Sequence, residues 1–342
     1  MKRVGIVGAG LMGNWHAERW ARLPVEIAGF YNRSRDAAER AASRFGGRVY
    51  DTVDALAEAV DIVDVCTPTF AHPEGVLAAA SARKPAVCEK PLARTLPDAE
   101  RMIAACEEAG VPLFVAQVVR FFPQYALAKA ALESGELGRP GVLRLVRAGS
   151  FPRADPDTWY NSFEKGGGVI MDLAIHDLAF ARWCFGDALR VFARGLTFAG
   201  RSMSDHALIT LSFENGALAH LEGSWAAPPG PFRTALELAG DAGILEWDAL
   251  DPMPVQTSLR FSDEGASKVP VMADSPLAPE DDPYYRELEH FLAALETGAP
   301  LRVTPQDGLE ALRLALAATE SLRSGQPVAL AGFGAGSRAA LS

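Results

Sequence analysis

Along the first third of the chain, apolar residues fall in short runs, each followed by an amphipathic stretch. The runs Arg3–Val7, Glu26–Tyr31, Ile62–Thr67, Ala86–Glu89 and Pro112–Gln117 predict buried strands. Helical patterning lies between them, near Leu11–Arg22, Arg35–Phe45, Pro73–Ala82 and Leu96–Ala109. Such alternation predicts a parallel sheet covered on both faces. The texture changes after Arg120. Tyr125–Ser134 predicts a helix ended by Gly135 and Gly138. Strands are then expected at Gly141–Gly149, Arg190–Thr197, His206–Phe213, Ala217–Trp225, Thr234–Ala239, Ile244–Trp247 and Val255–Phe261. Asn215-Gly216 between two apolar runs is a hairpin signal. A long helix, Gly168–Phe185, interrupts the strands, and Tyr284–Glu296 and Pro305–Ser324 follow them. The expected fold class is α/β. A parallel-sheet domain over 1–120 precedes an α+β domain over 121–330 on a mostly antiparallel sheet, and the small, polar tail 331–342 is expected to be loose.

The length of 342 residues suits two domains, and with 49% apolar residues a large core is available. No window approaches ~18 consecutive apolar residues, so no membrane span is expected. The chain starts directly into its first strand, which leaves no room for a signal peptide; a cytoplasmic location is the expectation. Cys66, Cys88, Cys106 and Cys184 show no paired spacing, so reduced, buried thiols and no metal site are expected. A net charge of −10 disfavours nucleic acid as a partner.

Gly8-Ala9-Gly10-Leu11-Met12-Gly13 sits between the first strand and the first helix. In this context the spacing predicts a dinucleotide site. Gly8 permits the tight turn, Gly10 lets a pyrophosphate approach the backbone, and Gly13 lets the helix pack close to the strand. The first helical residues, Leu11 and Met12, would present free N–H groups to the phosphates. The turns Thr67-Pro68-Thr69, Glu89-Lys90-Pro91 and Gln117-Val118 end later strands, where ligands of open α/β sheets bind.

Lys90 in its turn reads either as a donor to a substrate oxygen or as a surface lysine. Asp172 and His176 follow Gly166-Gly167-Gly168 and stand four apart, on one helical face. They read either as a histidine acid/base with an orienting carboxylate or as a satisfied core pair.

Together these motifs resemble the glucose–fructose oxidoreductase, inositol dehydrogenase and rhizopine-catabolism family, Gfo/Idh/MocA. The resemblance covers Gly8-x-Gly10-x-x-Gly13-x-x-His16-Ala17, Cys66-Thr67-Pro68 followed by His72, Glu89-Lys90-Pro91, and Gly167-Gly168-Val169-x-x-Asp172-x-x-x-His176-Asp177. It implies a Rossmann domain followed by a domain with a large open sheet. It also implies nicotinamide-dependent oxidation or reduction of a sugar, inositol or related polyol. Lys90, Asp172 and His176 are the implied catalytic residues, and Cys66, Thr67, Pro68, His72, Glu89 and Lys90 are expected near the cofactor. The family also contains glycoside hydrolases that use transient oxidation, dinucleotide-binding sensors without turnover, and reductases of non-sugar ligands such as a dihydrodiol or a tetrapyrrole.

The tip of the second strand reads Asn32-Arg33-Ser34-Arg35, with no acid where one would bond the ribose hydroxyls of NAD. Two arginines and a serine suit a 2′-phosphate, so NAD(P) is expected with a lean toward NADP. Alternatively, Asn32 bonds the ribose and the arginines are solvated. Further substrate contacts are expected from Gln117, Arg120, Trp159, Tyr160 and Asn161, beside Asp172 and His176. Apolar residues on open strands such as Ala217–Trp225 lead to the expectation of a homodimer or homotetramer.

Overall fold

A computed structural model of the protein describes residues 1–150, 159–198, 205–227, 230–251, 255–259, 268–269 and 282–334. The end of the expected strand at 260–261 and tail residues 335–342 lie outside the described residues.

The chain forms two compact units. The first comprises Met1–Phe121 and Leu277–Leu312. Its strands are β1 (Lys2–Val7), β2 (Val25–Tyr31), β3 (Arg48–Val49), β4 (Ile62–Val65), β5 (Ala86–Glu89) and β6 (Leu113–Ala116). They form a six-stranded parallel sheet in the order β3-β2-β1-β4-β5-β6. Four helices alternate with the strands as expected: α1 (Leu11–Trp20), α2 (Arg35–Phe45), α4 (His72–Ser81) and α5 (Leu96–Ala109). The short helix α3 (Val53–Ala59), capped by Thr52, is under two full turns and too short for its periodicity to stand out in the sequence.

The segment 277–312, expected in the second domain, clusters with the first unit. The amphipathic helix α9 (Pro283–Thr297) explains why. Leu288, Phe291 and Leu292 join the core built by Val4, Ile6, Trp20, Phe30 and Phe114, and Phe291 stacks on Phe114 at 5.0 Å. Periodicity predicted the helix but carried no information about which core it would cover.

The second unit comprises Phe122–Pro276 and Arg313–Ser342. It opens with α6 (Pro123–Glu133) and carries a nine-stranded sheet. In chain order the strands are β7 (Pro140–Ala148), β8 (Ala188–Leu196), β9 (His206–Phe213), β10 (Leu218–Ser224), β11 (Arg233–Gly240), β12 (Gly243–Asp248), β13 (Val255–Leu259), β14 (Lys268–Val269) and β15 (Val328–Ala329). Their order is β14-β13-β12-β11-β7-β10-β9-β8-β15, with β7 and β10 parallel and the other pairs antiparallel. The short helix α7 (Phe163–Gly166) leads to Gly167 and Gly168, both at left-handed φ. The expected helix Gly168–Phe185 is not uniformly α. Ile170–Ala174 is a π turn, and α8 (Ile175–Phe185) continues from it. Gly223 of β10 faces this turn; a Cβ there would lie 3.3 Å from the Ala174 methyl. The last helix, α10, spans Pro305–Ser324.

Candidate active site

In the first unit the glycines stand where the chain needs them. Gly8 has φ +106°, and a Cβ on it would press on the Cys66–Thr67 backbone at 2.7 Å. A Cβ on Gly13 would run into the Gly8 carbonyl oxygen. Space beside Gly10 is open, with nothing within 4 Å of a Cβ position. The N-terminus of α1 has no side-chain cap, so its first amides remain available to an anion. Asn14 braces the turn by donating to the Ala9 and Gly10 carbonyls at 3.0 and 2.7 Å. Leu11 is exposed and Met12 half-buried at this mouth. An open cradle with unclaimed helical amides fits the pyrophosphate of a dinucleotide.

The β2 tip is partly committed. Asn32 accepts from the Ala9 amide at 3.1 Å and donates to the Ser34 carbonyl at 3.0 Å, so its side chain shapes the turn. Arg35 donates to Glu39 at 2.9 Å and to Asp51 at 2.6 Å. That engagement leaves the exposed Arg33 and Ser34 as the groups at the tip not held by these carboxylates.

Lys90 is half-buried in the turn that ends β5. Two buried histidines flank that turn. His72 lies 2.9 Å from the Pro91 carbonyl through Nδ1 and 2.9 Å from the Thr67 carbonyl through Nε2. Expected beside the cofactor, His72 is 1% exposed, with its two nitrogens facing two backbone carbonyls, to one of which the neutral ring donates. Burial pushes its pKa down, against the pull of the Thr67 carbonyl and Glu89.

Glu89 was also expected to face the cofactor, yet it is 5% exposed. One carboxylate oxygen accepts from His16 Nε2 at 3.0 Å, and the other accepts the Lys90 amide at 3.0 Å. His16 Nδ1 meets Asp64 at 2.9 Å. Asp64 also accepts from the Trp20 indole at 2.7 Å and from the Cys66 thiol at 3.4 Å. Burial alone would lower the His16 pKa, but Asp64 and Cys66 together outweigh it and raise it well above the ordinary value. Burial and Asp64 push the Cys66 thiol far up. His16, Asp64 and Cys66 are the one grouping of metal-ligand type among the described residues, their donor atoms within 4.8 Å of one another. The Cys66 thiol donates to Asp64, and His16 lies between Asp64 and Glu89, so the three belong to one hydrogen-bonded network. Cys66 therefore serves the network beneath the turn. Thr67 and Pro68 are half-buried, and the Thr67 hydroxyl has no partner among the described residues.

Glu287 of α9 is fully buried, with both carboxylate oxygens unpartnered among the described residues. Burial, with Glu89 adding to it, pushes its pKa well above the usual carboxylate range. Sequence patterning missed this network. Asp64 inside an apolar strand and Glu287 on the apolar side of α9 were its available signals.

Gln117 is 1% exposed, and neither amide atom has a partner among the described residues. Arg120 departs from expectation. It is 5% exposed, donates to the Arg302 carbonyl at 2.6 Å and pairs with Asp307 at 3.1 Å, so it is spent on structure rather than offered to substrate.

In the second unit Asp172 and His176 are partly exposed, whereas Ile170, Met171, Ala174, Ile175, Asp177 and Leu178 are buried. The π turn widens the helix, yet both chemical side chains keep the accessible side. Behind them Asp177 is held by Arg147 at 2.8 Å, and Arg147 also donates to the Tyr125 hydroxyl at 3.0 Å. Trp159, Tyr160 and Asn161 form one turn of 3₁₀ helix. Trp159 stacks on Tyr160 at 4.0 Å, and Tyr160 meets the Trp225 ring edge-on at 6.3 Å. Gly166 lets the chain run against Trp159, whose carbonyl would lie 3.3 Å from a Cβ there.

Among the described residues no helix is long and apolar enough to cross a membrane. Residues 2–117 match the model of an oxidoreductase family with an NAD-binding Rossmann fold, and residues 125–246 match the GFO/IDH/MocA C-terminal domain. The chain is 32% identical over 340 residues to an uncharacterised oxidoreductase, YrbE, of Bacillus subtilis, covering 95% of this chain and 96% of that protein. It is 31% identical to myo-inositol 2-dehydrogenase of Thermotoga maritima, covering 96% and 98% of the two chains. A solved structure of levoglucosan dehydrogenase in complex with NADH superposes with a TM-score of 0.85 at 25% identity, covering 96% of this chain and 99% of that one. The chain belongs to the GFO/IDH/MocA family of oxidoreductases, whose N-terminal domain is an NAD-binding Rossmann fold.

Proposed function

We propose that the protein is a dehydrogenase or reductase that moves hydride between a nicotinamide dinucleotide and a hydroxyl-bearing carbon of a sugar, inositol or related polyol. The observation that carries this reading is the open glycine cradle at Gly10 in the same unit as the braced Lys90 turn. Relatives named as inositol and levoglucosan dehydrogenases support the substrate class over the glycosidase and sensor alternatives.

The dinucleotide supplies the hydride chemistry. Gly8, Gly10 and the first amides of α1, at Leu11 and Met12, hold its phosphates. Lys90 donates to the substrate oxygen and stabilises the charge that grows there. His176 takes the hydroxyl proton in the oxidative direction, and Asp172 fixes its orientation or bonds the substrate. The buried, unpartnered amide of Gln117 and the stacked pair Trp159–Tyr160, with Asn161, are the further substrate contacts. The dinucleotide is NAD(H) or NADP(H). The lean toward NADP(H) rests on Arg33 and Ser34, since Arg35 is already neutralised by Glu39 and Asp51. A panel of inositols, sugars and polyols, followed at the reduced-nicotinamide absorbance band with each dinucleotide, tests this reading. Absence of turnover across the whole panel would refute it.

Assembly as a homodimer or homotetramer is part of the same proposal. Exposed apolar side chains gather on neighbouring strands: Phe192 and Leu196 on β8, Leu208 on β9 and Leu218 on β10. On β10 itself the outward residues after Leu218 are His220 and Glu222, so β8 and β9 carry more of the apolar surface than the sequence suggested. Light scattering at micromolar concentration checks it, and a clean monomer refutes it.

A further inference from the structure

The Lys90 turn is tied down by two histidines that the proposed chemistry does not use. Neither can reach solvent; His16 is 0% and His72 1% exposed. Each joins this turn to a different neighbouring element. His16 belongs to α1, the helix that follows the glycine turn, and reaches the Lys90 amide through the Glu89 carboxylate. His72 opens α4 and spans the Thr67 and Pro91 carbonyls.

The chemistry of the donors makes the first tie directional. Carboxylates only accept, and both His16 nitrogens face one, so the ring donates on both sides. Its donation to Glu89 leaves the other Glu89 oxygen aimed at the Lys90 N–H. Asp64 and Cys66 lie on one side of the ring and Glu89 on the other, and the Glu287 carboxyl on α9, near enough to feel both His16 and Glu89, has its pKa pushed up by burial. A buried ion pair contributes little net stability, so retaining charged groups here is better explained by the geometry they impose.

We propose that His16 and His72 are positioning residues that set the Lys90 turn, His16 through Glu89 and His72 through the Pro91 carbonyl. This rests on the assignment of Lys90 to the reaction. Glu89 is the relay, which makes the nucleotide-binding helix and the lysine one rigid piece. Small shifts of a catalytic donor cost large factors in rate, so loosening the turn lowers turnover without removing any group that touches substrate.

The test uses amide hydrogen exchange of the dinucleotide-free protein over the segment 89–93. His16→Gln and His72→Gln are each expected to speed exchange of the Lys90 amide by at least about tenfold, with β1 and β4 peptides unchanged. Should either variant exchange globally, the Glu89 pair carries the test. Glu89→Gln offers one acceptor oxygen to two donors, the His16 Nε2–H and the Lys90 N–H, so it speeds exchange, though less than Glu89→Ala, which offers none. Unchanged exchange in His16→Gln, or in Glu89→Ala, overturns the proposal. Turnover adds a second arm. His16→Gln is expected to lower kcat at least about tenfold while the NADH Kd moves less than about threefold, and this loss should vanish in a Lys90→Ala background. If Lys90→Ala alone keeps full turnover, the role of Lys90 fails, while the exchange result still reports on the tie itself.

Discussion

Arg120 and Asp307 form a two-point ion pair, with Arg120 Nη2 3.1 Å from Asp307 Oδ1 and Nη1 3.2 Å from Oδ2. Arg120 also holds the Arg302 carbonyl, so it fastens the start of α10 to the end of β6 within one unit. Burial pushes the Asp307 carboxyl up, but Arg120 and Thr304 outweigh it and hold the pKa below the usual range. Arg120→Ala would remove the ion pair and leave half-buried Asp307 to the Thr304 amide and hydroxyl, and is expected to destabilise the fold by about 2 kcal/mol. Chemical denaturation measures this. Because Asp307 is depressed, the pair's contribution is present above the unfolded carboxylate range and is lost as pH falls through the native value. A variant with wild-type stability and a raised KM would restore Arg120 to the substrate site.

Lys90→Ala, Asp172→Asn and His176→Ala are each expected to lower turnover by about 10²-fold or more without changing the circular dichroism spectrum. The basis is placement: a braced lysine turn, and two polar side chains on the accessible side of a largely buried segment. Steady-state kinetics on a substrate found by the panel decides it. Near-normal rates in all three variants would remove the catalytic assignment.

Periodicity and glycine spacing made the first sheet legible, because parallel strands read as apolar runs and the Gly8–Gly13 turn has few alternatives. Partnership was not legible. Arg120 and Arg35 are cations in plausible places, yet Asp307 lies 187 positions from the first and Asp51 lies 16 from the second, and nothing local announces either contact. Likewise His72 and Glu89 stand in motif positions whose side chains turn inward. Motifs located the turns, and only tertiary packing decided which of their atoms face a ligand. The π turn at Ile170–Ala174 escaped because its apolar pattern is that of any buried helix.

Glu287 gives a stability prediction with a definite sign. Its native pKa is raised from an ordinary value of 4.5, and that of His16 is raised from 6.5. Both groups therefore bind protons more tightly in the folded state, and stability falls as pH rises through these raised values. The His16 contribution is complete below its unfolded value and is lost on the alkaline side. Glu287→Gln removes the need to keep a proton on a buried acid. It is expected to stabilise the protein by about 1–3 kcal/mol near pH 8.5, with a smaller gain near pH 6. Thermal melts of both proteins across this range measure the difference. A gain that does not depend on pH would mean that Glu287 is ionised in the native protein.

Cofactor choice should turn on Arg33 rather than on the arginine pair. Arg35 is exposed and spends its guanidinium on Glu39 and Asp51, so Arg35→Ala should change the NADP(H) to NAD(H) affinity ratio less than about twofold. Arg33 is exposed at the same tip and free of those carboxylates. One well-formed charge-assisted contact to a 2′-phosphate is worth ~1.5–3 kcal/mol, and a tenfold preference needs only ~1.4 kcal/mol. Arg33→Ala should therefore erode NADP(H) binding about tenfold and spare NAD(H), and added salt should shrink the wild-type preference in the same way. If Arg33 instead stacks on adenine, both dinucleotides weaken together. Asn32→Asp should favour NAD(H) by repelling the phosphate, at the cost of the hydrogen bond from Asn32 to the Ser34 carbonyl. Fluorescence titration with both reduced dinucleotides decides among these outcomes. Equal or tighter NADH binding by the wild type would end the NADP lean and leave the dehydrogenase reading intact.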